Sequence, residues 1–522
     1  MRLASRLEAG ARRGLARLDA WMNRLYGWQG NPLYQSGTIA VLLLILVLLT
    51  GVYLLFFYRL GDPYDSIARV TDQVWLGRWI RGVHRFASDA AVIAVLVHAL
   101  RLFGQGRSWG PRALAWLTGL SLLFLVLVCG WTGYVMVWDT QGQILAQEGA
   151  RLLDLLPIFS EPISRAFVSE RTLPSAFFFL NLFLHVALPI GLGLVLWLHV
   201  SRVARPTLLP PQPLSQGVVV GLLLLSVLWP VSMAPRADLH RVPATAVVDY
   251  FYAFWLPAAT RVPATVTWSV TLAGSGLLLL IPWLVRPPRE RRPAPSVVDE
   301  RMCTGCEQCY LDCPYEAIGM LERQDGREGL VARVDPALCV SCGICAGSCA
   351  PMGVGPPSRT GRDQLEVARE FIAAHPIRPD TVVLVACTRG AGGLGTGTAV
   401  DGTPVYPVTC TGNLHTSVLE LLIRSGIPGV LICSCPPRDC WNREGVHWLE
   451  QRVFHEREAE LQERVDRRRV RLVHAGLGEP KLLRQALAQF RRDLLRLGAV
   501  AAEAEVDVGG ECTTPVGAGD DA

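Results

Sequence analysis

The sequence predicts a multi-domain chain: an α-helical membrane bundle of about six spans, then a small α+β domain built on cysteine runs, then a small α/β domain. Three observations predict it. Long apolar runs are confined to residues before 286. Fourteen of the 15 cysteines fall after residue 300. Beyond 380, short β-rich apolar stretches alternate with helical ones. At 522 residues the chain also exceeds what one core holds, since single cores rarely grow past ~250–300 residues.

Residues 1–36 are arginine-rich and read as a cytoplasmic amphipathic helix at the membrane interface. Arg12-Arg13 is a twin arginine, but no short apolar segment with a cleavage site follows, so it reads as a flank rather than a removed leader. Within 37–285, six stretches approach the ~20 apolar residues a span needs: 37–58, 84–103, 113–137, 175–200, 216–234 and 265–285. Arginines cluster at the N-terminus, at Arg101/Arg107/Arg112, at Arg202/Arg205 and at Arg286/Arg289/Arg291/Arg292. These are alternate loops, so the positive-inside rule puts both chain ends and the cysteine-rich half in the cytoplasm. The net charge of +5 comes from these flanks and does not suggest a nucleic-acid partner.

His84 and His98 are 14 residues apart, as are His185 and His199. Fourteen residues are close to four helical turns, which puts both histidines of a pair on one face, ~21 Å apart along the axis. Two such helices side by side form two His–His sandwiches, His84 with His185 near the outer face and His98 with His199 near the inner. Bis-imidazole ligation of haem iron is the economical use of that pattern, and ionisable residues inside spans are functional by default. Gly37/Gly51 and Gly119/Gly133 repeat the 14-residue step, and missing Cβ atoms there would admit a flat macrocycle.

On these residues, with R-G-V-H-R-F-A-S-D-A-A-V-I-A-V-L-V-H-A-L-R and G-Y-V-M-V-W, the chain resembles the cytochrome b family of quinol-oxidising complexes. The resemblance is good over 37–205 and weak over 206–285. It implies two b haems of unequal potential, a quinone or quinol substrate, and Arg81 and Arg101 as propionate partners. The family's Pro-Glu-Trp-Tyr run has Val248-Asp249-Tyr250-Phe251 as its counterpart. Asp249 is therefore a candidate quinol proton acceptor, with a helix-capping acid as the equal alternative. Tyr250, Tyr252 and Trp255 also suit an aromatic belt.

Residues 286–300 form a Pro/Arg-rich linker. In 301–355, C-T-G-C-E-Q-C-Y-L-D-C-P and C-V-S-C-G-I-C-A-G-S-C-A-P each have the spacing C-x2-C-x2-C-x3-C. Such runs hold [4Fe–4S] clusters, the fourth cysteine crossing to the other cluster. Cys303, Cys306, Cys309 and Cys349 are thus assigned to one cluster, and Cys339, Cys342, Cys345 and Cys313 to the other. The stretch resembles the two-cluster bacterial ferredoxins, which makes this a ferredoxin-like α+β domain.

Residues 356–379 read as a second linker with a helix at 362–375. From 380 to 475, strands at 381–387, 405–410 and 429–435 and a helix at 418–424 suggest an α/β sheet. Cys387, Cys410 and Cys435 fall at strand C-terminal ends, where open α/β sheets place their sites. With Cys440 they could hold a [2Fe–2S] cluster or a zinc. The G-A-G-G-L-G-T-G stretch at 390–397 reads as a loop, because no convincing helix follows it. His415 and His447 read as packing or surface residues. Residues 450–500 read as helical, 476–522 as a helical C-terminus with a disordered tail after 505. The strand ending at Cys387, V-T-C-T-G and C-P-P-R-D-C resemble the delta subunit of methanogen-type hydrogenases, which docks on a heterodisulfide-reductase flavoprotein. That family carries a further cysteine where Gly390 stands here, and Cys433 is an alternate ligand.

The combined resemblance implies a membrane-bound electron-transfer subunit linking the quinone pool to a soluble heterodisulfide-reductase-type flavoprotein or hydrogenase-type subunit. By analogy with cytochrome b it also implies a homodimer. Two alternatives remain: a stand-alone ferredoxin:quinone oxidoreductase, or a membrane docking module whose last cluster site is not used.

Overall fold

The computed structural model describes residues 2–508 apart from 157–160, 168–172, 174, 202–204, 242–248, 289, 291, 379–380 and 395–398. The chain divides into two compact units, Met1–Leu15 with Trp21–Arg291, and Ala16–Ala20 with Arg292–Ala522.

Among the described residues, the elements of the first unit are helices, with one isolated bridge between Asp139 and Arg236. α1 (Arg2–Gly30) is followed by α2 (Ser36–Leu55), α3 (Pro63–Asp72), α4 (Gly77–Gly104), α5 (Ala113–Val137), α6 (Thr140–Leu153), α7 (Ser175–Ser201), α8 (Gln212–Leu228), α9 (Leu256–Ala259) and α10 (Ala264–Leu284). Five helices among the described residues are long and apolar enough to cross a bilayer: α2, α4, α5, α7 and α10. The sequence pattern suggested a sixth at 216–234. There α8 has 17 residues, about 26 Å of helix, at the lower end of the ~17–25 residues with which helices cross a bilayer. It stops at Leu228 because Pro230 disfavours helix at the residue before it. α2 packs along α4 and α5 along α7, forming two antiparallel hairpins. Leu43, Ala87 and Ala91 fill the first contact, the small residues allowing close approach. Trp116 and Trp268 of α5 and α10 donate indole N–H groups to the carbonyls of Leu278 and Leu152, tying α10 to the bundle.

The second unit starts with β1 (Val297–Val298), α11 (Gln308–Leu311), β2 (Ile318–Glu322), β3 (Leu330–Val334), α12 (Ile344–Gly347) and β4 (Val354–Gly355). β1 pairs with β4 and β2 with β3, both antiparallel, around a core in which half of the buried residues are cysteines. α13 (Gly361–Ala374) follows, its start fixed by a reciprocal Thr360–Asp363 capping box.

The rest is a five-stranded sheet: β5 (Val382–Cys387), β6 (Ala399–Val400), β7 (Thr403–Val408), α14 (Thr416–Arg424), β8 (Gly429–Ser434), α15 (Gly445–Phe454), β9 (Val470–His474) and α16 (Pro480–Val508). Strand order is β6-β7-β5-β8-β9, parallel except for the β6–β7 hairpin. β5 and β8 are buried along their whole length, which is why both read as unbroken apolar runs. α13, α14 and α15 cover one face, and α16 covers the other with Leu483, Leu487 and Phe490. Two features depart from the sequence reading. Val470–His474, expected to be helical, is an edge strand carrying Val470 and Leu472 into the sheet. The last helix runs on past 505 to Val508.

Candidate redox centres

The membrane histidines come together as their spacing implies. The rings of His84 on α4 and His185 on α7 face each other, centroids 6.4 Å apart. His98 and His199 form a second pair, close enough to interact electrostatically.

The glycines take a more specific place than the sequence suggested. A Cβ added at Gly37 would lie 2.8 Å from His98 Cε1, at Gly51 3.2 Å from His84, at Gly119 3.3 Å from His199, and at Gly133 3.0 Å from His185. Each glycine therefore clears the edge of one imidazole. Each is also preceded by a hydroxyl residue: Ser36, Thr50, Thr118 and Thr132. Thr50 Oγ1 lies 3.0 Å from His84 Nδ1, Thr118 Oγ1 3.0 Å from His199 Nδ1, and Thr132 Oγ1 3.1 Å from His185 Nδ1. A helix carbonyl shares the contact, Val47 O at 3.1 Å for His84 and Cys129 O at 2.9 Å for His185. The threonine hydroxyls donate into their own helix, to Leu46, Leu114 and Cys129 carbonyls. They can then only accept from the ring, so Nδ1 carries the proton and Nε2 keeps its lone pair as a metal ligand would. This anchoring was not read from the sequence, although the repeated hydroxyl–glycine step was there to be seen.

The remaining membrane candidates have other partners. Arg81 Nη1 donates to the Val231 carbonyl at 2.8 Å. Arg101 is buried over the Tyr34 ring. Asp249 is also buried, and Oδ1 accepts from the N–H of Phe251 (2.9 Å) and Ala253 (3.2 Å) as well as Tyr252, capping that turn. Oδ2 accepts from Arg85 and from the Tyr134 hydroxyl. Burial pushes the Asp249 carboxyl up, but the Tyr134 hydroxyl, the Tyr252 N–H and Arg85 outweigh it and hold it below the usual carboxylate range. Val248, its neighbour in the quoted run, lies outside the described residues, as do Arg202, Arg289, Arg291, residues 395–397 and the tail from 509. Tyr252 is buried, its hydroxyl on the Ser88 carbonyl, whereas Tyr250 is exposed.

In the second unit, Cys303, Cys306, Cys309 and Cys349 line one pocket, walled by Val298, Met320 and Val354. Cys342 and Cys345 are neighbours of Cys313 and Cys339. The fourth cysteine of each run thus joins the other run's set. Hydrogen bonds point at the sulfurs: Ser296 N–H to Cys339 and Ala317 N–H to Cys313, both 3.4 Å, and Gly353 N–H to Cys349 at 3.3 Å. Such donors stabilise thiolates and are among the groups that tune cluster potentials. The residues fit two cubane clusters.

In the α/β domain, Cys387, Cys410, Cys435 and Cys440 are all buried and form a chain of sulfur contacts, 387 to 435, 435 to 440, and 440 to 410. Hydrogen bonds from Cys410 and Cys435 hold the Cys440 thiol well below its ordinary value. Contact with Cys440 pushes Cys410 up, and contacts with Cys387 and then Cys440 push Cys435 up. Backbone N–H groups of Arg389 and Gly390 aim at Cys387, those of Val446 and Asn442 at Cys440. A Cβ at Gly445 would sit 2.5 Å from Cys410 Sγ, so this glycine makes room for the sulfur, a feature the sequence reading missed. Among the described residues no three His, Cys, Asp or Glu side chains are grouped to hold a single metal ion. Cys433 lies instead in the apolar cluster under α16, where burial pushes its thiol up to about 12. At Gly390 a Cβ would meet the Ala475 carbonyl at 3.1 Å. His415 is buried with Nε2 on the Cys349 carbonyl at 3.2 Å, and His447 is exposed beside Trp448.

Three family models match the chain in series. Residues 28–205 match cytochrome b/b6/petB, residues 302–353 a 4Fe-4S dicluster domain, and residues 397–498 the delta subunit of methyl-viologen-reducing hydrogenase. The chain is thus a fusion of a cytochrome b/b6-like membrane segment, a dicluster segment and a hydrogenase delta-subunit-like segment. Among curated proteins it is similar to the menaquinol:cytochrome c reductase cytochrome b subunit of Bacillus subtilis (strain 168), 25% identical over 25% of this chain and 59% of that protein. The subunit of the same name in Geobacillus thermodenitrificans is 23% identical over 32% and 79%. Cytochrome b6 of Heliobacterium modesticaldum is 31% identical over 24% and 61%. The chain therefore spans less than two thirds of the first of these relatives. A solved structure described as "Hyperthermophilic respiratory Complex III" aligns with a TM-score of 0.40 and 15% identity, over 50% of this chain and 78% of that one.

Proposed function

We propose that this chain is a membrane-bound electron-transfer subunit linking the quinone pool to a soluble redox partner, a flavoprotein of the heterodisulfide-reductase type or a hydrogenase-type subunit. The observation that carries the reading is the two apposed histidine pairs, with Nδ1 of His84, His185 and His199 held by threonine hydroxyls, in a chain that also gathers eight cysteines in two crossed sets. Two b haems, two [4Fe–4S] clusters and a [2Fe–2S] cluster would supply one-electron redox chemistry when bound.

The protein's part is to fix those groups and shape their surroundings. His84 with His185, and His98 with His199, would be the axial pairs. Cys303, Cys306, Cys309 and Cys349 would hold one cubane, Cys313, Cys339, Cys342 and Cys345 the other. Cys387, Cys410, Cys435 and Cys440 would hold the [2Fe–2S] cluster. Near His84, Asp249, Tyr134 and Arg85 form a polar group whose carboxylate accepts every proton directed at it. In this reading Asp249 holds the quinone pocket's acidic hydrogen-bond position, and a quinol hydroxyl would displace Tyr134 or Arg85 from Oδ2. The cysteine-rich unit and both chain ends lie in the cytoplasm, where the delta-subunit-like region docks the partner. A homodimer is proposed by analogy with cytochrome b.

The test is anaerobic addition of a menaquinol analogue to the purified protein, followed at the haem absorption bands. Rapid reduction is the expected outcome. Failure in this direction, and failure of oxidised quinone to reoxidise dithionite-reduced haem, would refute a quinone link and leave the docking-module reading. Turnover by the isolated chain with reduced ferredoxin and quinone would instead favour a stand-alone oxidoreductase.

A further inference from the structure

Between the dicluster segment and the α/β sheet of the second unit lies a fully buried arginine. Arg452 of α15 has no solvent-exposed surface. Its Nη1 donates to Ser348 Oγ at 2.8 Å and its Nη2 to the Gly412 carbonyl at 2.8 Å, while its Nε has no partner. Ser348 stands between Cys345 and Cys349, and Gly412 lies two residues after Cys410. Gly347 makes the space, for a Cβ there would fall 2.5 Å from Arg452 Nη2.

What Arg452 lacks is a carboxylate. The nearby acid, Asp312, meets Arg457 at 2.7 Å and reaches Arg452 only through the Ser348 hydroxyl, which donates to it at 2.7 Å. A guanidinium stays charged at any physiological pH, and burying it without a counter-charge carries a large desolvation penalty. The charge of Asp312 acts on it too, but that carboxylate is shared with Arg457, so the pair of guanidiniums exceeds it; the other groups near enough to act are the sulfurs of Cys410 on one side and Cys345 on the other. The two loops also touch directly, since Asn413 Nδ2 donates to the Gly343 carbonyl at 3.0 Å and Arg359 bridges Ser341 and Thr409.

We infer that Arg452 is the electrostatic bridge between two iron–sulfur centres, the one on Cys313, Cys339, Cys342 and Cys345 and the one on Cys387, Cys410, Cys435 and Cys440. The inference rests on the proposed function's reading that both cysteine sets carry clusters. Thiolate-ligated clusters are anionic, so they supply the missing counter-charge, and the buried cation favours the reduced, more negative state of each. It makes these two centres the pair that exchanges electrons within the unit. In that exchange one electron leaves one centre and the same electron arrives at the other, with no bond made or broken and no proton moved.

The experiment is an anaerobic redox titration of the full chain followed by electron paramagnetic resonance, comparing wild type, R452Q and R452K at measured iron content. In R452Q the reduced-to-oxidised ratio of the two flanking centres should fall at least tenfold at a given potential, a shift of about 59 mV for one electron. The centre on Cys303, Cys306, Cys309 and Cys349 should move much less. In R452K, which keeps the charge, the flanking centres should stay within about twofold of wild type. Unmoved potentials in an iron-replete R452Q, or an equal shift of all centres, would overturn the inference. If R452Q loses iron, R452K decides: a tenfold shift there overturns the charge argument and wild-type values support it. Absence of a third cluster signal in wild type would instead refute the reading of the four-cysteine site.

Discussion

Replacing Gly37 with alanine tests the histidine architecture at its tightest point. The new methyl would start 2.8 Å from His98 Cε1 and 2.9 Å from Nδ1, whereas ordinary contact begins near 3.4 Å. The ring or α2 must therefore withdraw by about 0.6 Å. Overpacking of this kind costs about 1–3 kcal/mol, a 5- to 150-fold loss of haem affinity if the strain is felt in the bound state. Only the His98/His199 pair is involved. Gly51→Ala starts 3.2 Å from His84 and needs about 0.2 Å, so its effect should be smaller and fall on the other pair. Gly191→Ala, on the same α7 as two of the histidines but with nothing within 4 Å, is the control. The assay is haem per chain by pyridine haemochromogen, with a reduced-minus-oxidised titration resolving two components. G37A should lose or shift one component. If it keeps both haems at unchanged potentials, as G191A should, the glycine does not serve the ligand and the argument fails.

Other outcomes follow from the same geometry. Thr132→Val leaves His185 Nδ1 the carbonyl and the sulfur of Cys129; a less basic imidazole should raise that haem's potential by less than about 59 mV, read in the same titration. Cys440→Ser should remove about two irons per chain and spare the eight expected on the two cubane sets, by iron analysis and cluster spectra. Asp249→Asn keeps the Oδ1 cap but loses the Arg85 pair; since Arg85 retains Asp89, the cost should be about 3 kcal/mol or less in thermal unfolding. Because the Asp249 carboxyl is held below its unfolded value, its contribution should be complete above about pH 4 and vanish as pH falls through the folded value, with D249N insensitive over that window.

What was readable in the sequence was what repeats. The 14-residue steps of histidine and glycine and the C-x2-C-x2-C-x3-C runs are fixed by helix pitch and by cluster geometry, so spacing alone carries them. The unbroken apolar strands at Val382–Cys387 and Gly429–Ser434 were legible because both faces are covered. Val470–His474 was not, because arginines precede it and, at the sheet's edge, only Val470 of the five is fully buried. The bounds of α8 were less legible, because hydropathy continues through Trp229 while Pro230 has already ended the backbone pattern. Arg452 was invisible in principle: in sequence it is one more arginine on a charged helix, and only the fold places it among sulfurs.

The hydroxyl–glycine step occurs twice on α2 and twice on α5, each helix packed against the one bearing a 14-spaced histidine pair. The bundle is in this sense two like hairpins, and every proposed haem position takes one histidine from each. Neither hairpin alone offers a complete axial pair. A bound macrocycle would therefore act as a clasp, reinforcing the direct packing of Val92 on α4 against Val126 on α5. Apoprotein with haem withheld should then fail as loosened hairpins rather than as an intact bundle with two vacant slots.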